Sequence, residues 1–246
     1  MSALLKAELV RLRTTRGVYW YLAALVVVTG IGAAAQASDI SIFQREDPGF
    51  QRDLLSQAVA APLIALLLGI VTFTVEWRHG TITRTLLITP RRWKVLVAKE
   101  LHATALGSVL AILGVVIALA VAIPILSKDD VSFVFDAALA GRIAEIVIAS
   151  ALWGALGAGF GALVQNQTGA VVGAILFVIV VESLLAALLD WADLHWVSDI
   201  LPRHALDALA GHESGLSAGA GGAVGLGYVA AFALLAWLRI RRQNIT

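Results

Sequence analysis

The sequence contains no cysteine, which removes disulfides, thiolate metal sites and thiol nucleophiles and leaves the redox compartment open. Charge is scarce as well: 14% of the 246 residues are Asp, Glu, Lys or Arg, where a soluble domain carries roughly 25%. The few charges almost cancel, 18 basic against 17 acidic, so no excess of either sign points to a nucleic-acid partner. No Gly-Lys pair occurs anywhere, which excludes the G-x-x-x-x-G-K-[ST] loop that cradles phosphates. The chain cannot be its own P-loop ATPase.

What is abundant is apolar: 59% of residues are hydrophobic and the mean hydropathy is +0.87. A single small core would leave too few polar residues to cover it, so lipid must act as solvent. A helix needs about 20 apolar residues to cross about 30 Å of hydrocarbon. Six runs qualify: 17–37, 54–75, 103–126, 143–164, 169–189 and 216–238. They lack the period-2 alternation of barrel strands, and backbone groups in lipid must be satisfied within the segment. The expected fold is all-α and polytopic, a six-helix transmembrane domain over 17–246. Ala33 to Ala37 reads AAAQA, like a signal-peptidase site, but the apolar run before it is longer than a signal-peptide core.

Basic residues cluster around Lys6 to Arg16, between Arg78 and Lys99, and at Arg239 to Arg242. With six spans these regions fall on one side and hold thirteen of the eighteen basic residues, so the positive-inside rule makes that side, with both termini, cytoplasmic. Asp39, Glu46, Asp129, Asp136, Asp190, Asp199, Asp207 and others make the opposite face acidic. Residues 165–168 form a short uncharged turn between spans four and five. Before span one, Leu4, Leu5, Leu9 and Leu12 recur at helical spacing with Lys6, Glu8 and Arg13 on other faces. Residues 1–16 therefore read either as an amphipathic helix lying in the interface or as a basic topogenic leader.

The connection over residues 76–100, EWRHGTITRTLLITPRRWKVLVAKE, is not a simple polar loop. Gly80 can take positive φ for a sharp turn, and Thr81 can cap a short helix through Leu87. Thr89 and Pro90 suit an N-cap and first helical position, so a helix is expected from Pro90 through Lys99 into span three. Arg84, Arg91, Arg92 and Lys94 could bind anionic headgroups, at about 1 kcal/mol each. A headgroup anchor, however, needs neither Glu76 nor two helix starts. A rigid bracket that docks a soluble partner does.

These residues resemble the membrane subunits of ABC-2 type transporters, the permeases of bacterial exporters. The features carrying the resemblance are Glu76, the Gly80–Thr81 pair, Leu86 and Leu87, Thr89–Pro90, Arg91 or Arg92, and Lys99. The layout of an interfacial N-terminal helix, six spans and a long external stretch over 190–214 is similar too, so the resemblance covers nearly the whole chain. It implies a multi-pass bacterial inner-membrane protein and a coupling helix near 76–92 seated in a separate ABC ATP-binding subunit. The docking residues would be Glu76, Arg78, Gly80, Thr81, Arg84, Leu86, Leu87, Thr89, Pro90, Arg91 and Arg92. ATP and Mg²⁺ would belong to that partner, this chain would bind no cofactor and catalyse no reaction, and a second permease copy or paralogue would complete the transporter. A lid role for the external stretch is a further implication.

Glu182 lies inside span five, where an acid costs about 2.5–3.5 kcal/mol to insert. Nine Val, Ile, Leu or Phe residues between Val171 and Val181 offset that cost, so the span inserts. Glu182 either lines a translocation path or reaches water at the outer interface. Trp191, Trp196, Ile200 and Leu201 suit short helices resting at that interface. His195, His204 and His212 are nine and eight residues apart, a spacing that matches no compact metal site. Gly157 and Gly161, Gly215 and Gly219, and Gly221 and Gly225 are each four apart, as in close helix packing within the chain or between copies. An ion-coupled secondary transporter is the alternative. It would want several ionisable residues at membrane depth, and Glu182 alone fits from the sequence. The spans hold no cluster suited to an intramembrane enzyme.

Overall fold

The computed structural model describes residues 17–38, 45–82, 92–212 and 215–242. Six helices long and apolar enough to cross a membrane occupy the six expected runs, and the described residues contain no strand. Residues 1–16, and Arg84, Leu86, Leu87, Thr89, Pro90 and Arg91 of the bracket, lie outside the described residues.

Polar residues at several element boundaries set where helices start. α1 (Gly17–Ser38) is followed by a short α2 (Pro48–Asp53), whose first turn is capped by the Asp47 carboxylate accepting from the Gly49 and Phe50 amides at 3.1 and 3.3 Å. A 3-10 stretch (Leu54–Val59) leads on into α3 (Ala60–Arg78). The helix expected to run from the bracket into span three is present from Arg92 onward. It is α4 (Arg92–Leu126), whose 35 residues make a rod of about 52 Å, longer than the hydrocarbon layer. α5 (Ala137–Val164) starts where the Asp136 carboxylate accepts the Leu139 amide at 2.7 Å and stops at Gln165, φ +59°. Asn166 then caps α6 (Gln167–Leu176) by accepting from the Gly169 amide at 2.8 Å. The expected tight turn between spans four and five is this pair of caps.

Span five is not one regular helix. α6 widens into a π turn (Phe177–Val181) before α7 (Glu182–Trp191), and such insertions shift the face on which the following residue lies. Two short helices, α8 (His195–Asp199) and α9 (Pro202–Leu209), precede α10 (Ala218–Arg242).

Lipid is as apolar as leucine, so helices in it associate by close backbone approach rather than by hydrophobic exclusion. α5 is the axis on which this approach occurs. A Cβ on Gly157 would stand 2.1 Å from the Leu66 carbonyl oxygen of α3, and one on Gly107 of α4 would stand 2.2 Å from that of Ser150. Gly157 and Gly161 both face α3, and Gly221 and Gly225 both face α9, so these pairs pack within the chain.

The bundle has a basic end, bearing Arg78, Arg92 and Arg241, and an acidic end. At the acidic end Arg45 pairs with Asp129 and Arg52 with Asp136, while Arg142 pairs with Asp53 at 3.8 Å and donates to the Ala210 carbonyl at 3.1 Å. Gln51 is buried there and saturated, donating to the Arg45 and Ser132 carbonyls and accepting from the Val134 amide.

The stretch between spans five and six differs from the expectation of helices resting at the interface. Trp191 and Trp196 are exposed as expected, but α9 turns inward and packs against α5 and α10. Its residues Ala205, Leu206, Ala208 and Leu209 form a buried apolar face, and the two glycines of α10 leave room for it.

Candidate functional site

At the basic end, the side chains of Glu76, Arg78, Arg92 and Lys99 are held by specific contacts. Glu76 lies on the last turns of α3 with its carboxylate buried, 2.8 Å from Lys99 Nζ of α4. Lys99 also donates to the Thr72 carbonyl at 2.9 Å and lies over the Phe73 ring, which stacks on Trp77. A buried ion in low dielectric is stable only when it keeps good partners, and Lys99 has them in Glu76, the Thr72 carbonyl and the Phe73 ring. Glu76 is thus a cross-tie between two spans rather than an exposed docking side chain.

Beyond it, Gly80 takes φ +63° and closes α3. The Thr81 amide donates to the Glu76 carbonyl at 2.9 Å and the Gly80 amide to that of Trp77 at 3.2 Å, the paired pattern of a Schellman stop. The positive-φ turn expected at Gly80 is present. Thr81 is exposed at its exit; the helix it was expected to cap lies outside the described residues. Arg78 reaches across to Gln167 of the span four–five turn at 3.3 Å, bordering an open polar notch of about 400 Å³ with Trp77, Gln165, Asn166 and Thr168. Arg92 donates to the Ile240 carbonyl at 2.7 Å, placing a cation on the last carbonyls of α10, where the helix dipole favours it. The two ends of the bracket are therefore tied to each other, to α6 and to α10.

About two turns along α4 from Arg92 lies a residue that the sequence places in the bracket: Glu100. Both of its carboxylate oxygens are buried, and among the described residues neither has a hydrogen-bond partner. The signal that could have found it is periodic. Leu96, Ala103, Gly107, Leu110 and Gly114 form one buried stripe of α4 at spacings of three and four, and Glu100 falls on it.

At the acidic end, Glu182 is buried away from water. Its exposure is 0%, and Oε1 accepts the Arg203 amide at 2.5 Å in the first turn of α9. His204 Nδ1 stands 3.6 Å from the same oxygen. Leu201, at the N-cap of α9, offers no side-chain acceptor and Pro202 no amide, so a carboxylate from another helix caps this one. The π turn before Glu182 delivers it to that face. Around the cap, Arg203 pairs with Asp207 at 3.4 Å, and His195 and Ser198 both contact Asp190. Burial raises the Asp207 carboxyl above the usual range, opposed by the nearby charges of His212, Arg203 and His204. Among the described residues no three His, Asp or Glu side chains converge as a metal site requires.

Between α1, α3, the π turn and α9 opens a cavity of about 550 Å³. Tyr21, Val28, Leu63, Leu67, Val178 and Leu206 supply apolar walls, and Arg203, Asp207 and His212 form a polar rim. Such a shape accepts an apolar chain with a polar head. No protein-family model and no curated protein sequence matches the chain.

Proposed function

We propose that this chain is the membrane-spanning permease subunit of an ATP-driven, ABC-2 type exporter in the bacterial inner membrane, moving an amphiphilic or membrane-associated substrate outward. The basic end is cytoplasmic, in keeping with its share of Lys and Arg. A separate ABC subunit binds ATP and Mg²⁺ and seats on the 76–92 bracket, and a second copy or paralogue completes the transporter.

The observation that carries this reading is the way the bracket is fastened. A push on a free loop would dissipate in the loop. Here Glu76–Lys99 joins α3 to α4, Arg92 joins α4 to α10, and Arg78 joins α3 to the start of α6, so force applied to the bracket moves four helices together. The apolar cavity with a polar rim supports the amphiphilic substrate class. The test is copurification of the detergent-solubilised protein expressed with its neighbouring genes. A stoichiometric ATP-binding polypeptide is expected, and purification that never retains one refutes the reading.

The buried carboxylates favour a second reading, an ion-coupled secondary transporter, because Glu100 joins Glu182 as an ionisable group at membrane depth. Collapsing the proton gradient while ATP is maintained separates the two. It stops the ion-coupled transporter and spares the ATP-driven one.

A further inference from the structure

Glu100 stands eight residues into α4, about 12 Å along the helix from Arg92, at the junction of α4 with α5 and α10. The junction is filled. A Cβ on Gly159 of α5 would lie 3.3 Å from Glu100 Oε1 and 2.9 Å from Phe232 Cβ of α10. Both carboxylate oxygens are buried, with no hydrogen-bond partner among the described residues.

The charged and titratable groups around it point elsewhere. On α4, Lys99 is committed to Glu76 and the Thr72 carbonyl, both on α3, and Arg92 to the end of α10. His102 is buried two residues further along α4, a position about 200° around the helix from Glu100. α5 has no titratable residue between Ile146 and Val164. On α10, Tyr228 donates to the Ile200 carbonyl toward the acidic end, and Arg241 stacks on Trp237 at the opposite tip, where Arg239 is exposed. An ionised carboxylate left in such a place, without a cation or donor, is far more costly than its neutral form.

We propose that Glu100 is a proton-binding site, which holds a proton while α4, α5 and α10 are packed together and gives it up to water when they part. The packing at the basic end is then linked to pH: protons favour the closed junction, and alkaline conditions favour the hydrated, open one. The proposal does not depend on what energy source drives transport.

Infrared spectroscopy of the purified full-length protein in lipid vesicles tests it. At neutral pH the wild type should show a protonated-carboxyl C=O band that Glu100→Gln removes, and the band should fade only when the vesicles are made alkaline. The thermal midpoint of the wild type should fall as pH climbs from the ordinary carboxylate range to the pH at which the band fades, and that of Glu100→Gln should lack this part of the fall. Glu100→Asp keeps an acid in altered surroundings and should shift the band, which provides a reading if the Gln variant fails to fold. A carboxyl region indifferent to both substitutions means that Glu100 is ionised and overturns the proposal. Neither result bears on whether an ATP-binding subunit copurifies, so the two ideas fail separately.

Discussion

The two ends of the bundle each bury a carboxylate, and they neutralise it by different means. At the basic end Glu76 meets a full cation, Lys99, and the pair bridges two long spans that are themselves packed on α5. At the acidic end Glu182 meets the amide of Arg203, the positive end of an eight-residue helix, with His204 beside it. The first arrangement is a fixed strut between rigid rods. The second is a clasp on the first turn of a short helix whose apolar face packs on α5 and α10. The permease proposed above, driven at one end and rearranging at the other, would have use for both.

The difference predicts unequal responses to substitution. The largest is for Lys99→Ala, which deprives Glu76 of its cation and should lower stability by about 3–5 kcal/mol. The double variant Lys99→Met with Glu76→Gln should recover most of that loss in thermal unfolding in detergent. If the single variant matches the wild type, the pair is not a strut.

Next is Glu182→Ala, which strips the acceptor from the first turn of α9 and should cost about 1–3 kcal/mol. The damage should be local. Hydrogen exchange should quicken over 202–209 while α3 and α4 stay protected, and uniform acceleration would mean that the clasp is part of the general core. The smallest effect concerns Asp207 beside the clasp. Its carboxyl is raised by burial, so it contributes stability at low pH that is lost as pH climbs from the ordinary carboxylate range to the raised value. Asp207→Asn should flatten that part of the melting curve against pH, and an unchanged slope assigns the dependence to another group.

The strut was more legible in the sequence than the clasp. Six spans follow from apolar length alone, and the Gly80 stop and the long α4 follow from local backbone preferences that tertiary packing left undisturbed. The π turn was invisible, because Phe-Val-Ile-Val-Val reads like any other apolar stretch. The inward path of α9 was hidden too: Arg203, His204 and Asp207 make it look solvent-bound, and its burial depends on glycines of α10 nearly twenty residues later. Glu182 could be seen to need a partner, but that partner is a backbone amide, which carries no signature in sequence. Glu100 was obscured by its neighbours, since the basic residues around it assigned it to the connection rather than to the buried stripe it completes.

The central claim is that the basic end, and not the acidic end, receives a motor. A photo-crosslinking amino acid placed at Leu87, and separately at Trp196, in cells expressing the protein with its neighbouring genes tests this directly. The account predicts that Leu87 traps a polypeptide carrying a Walker A motif and that Trp196 does not. Absence of such a polypeptide at Leu87, or equal capture at both positions, contradicts it.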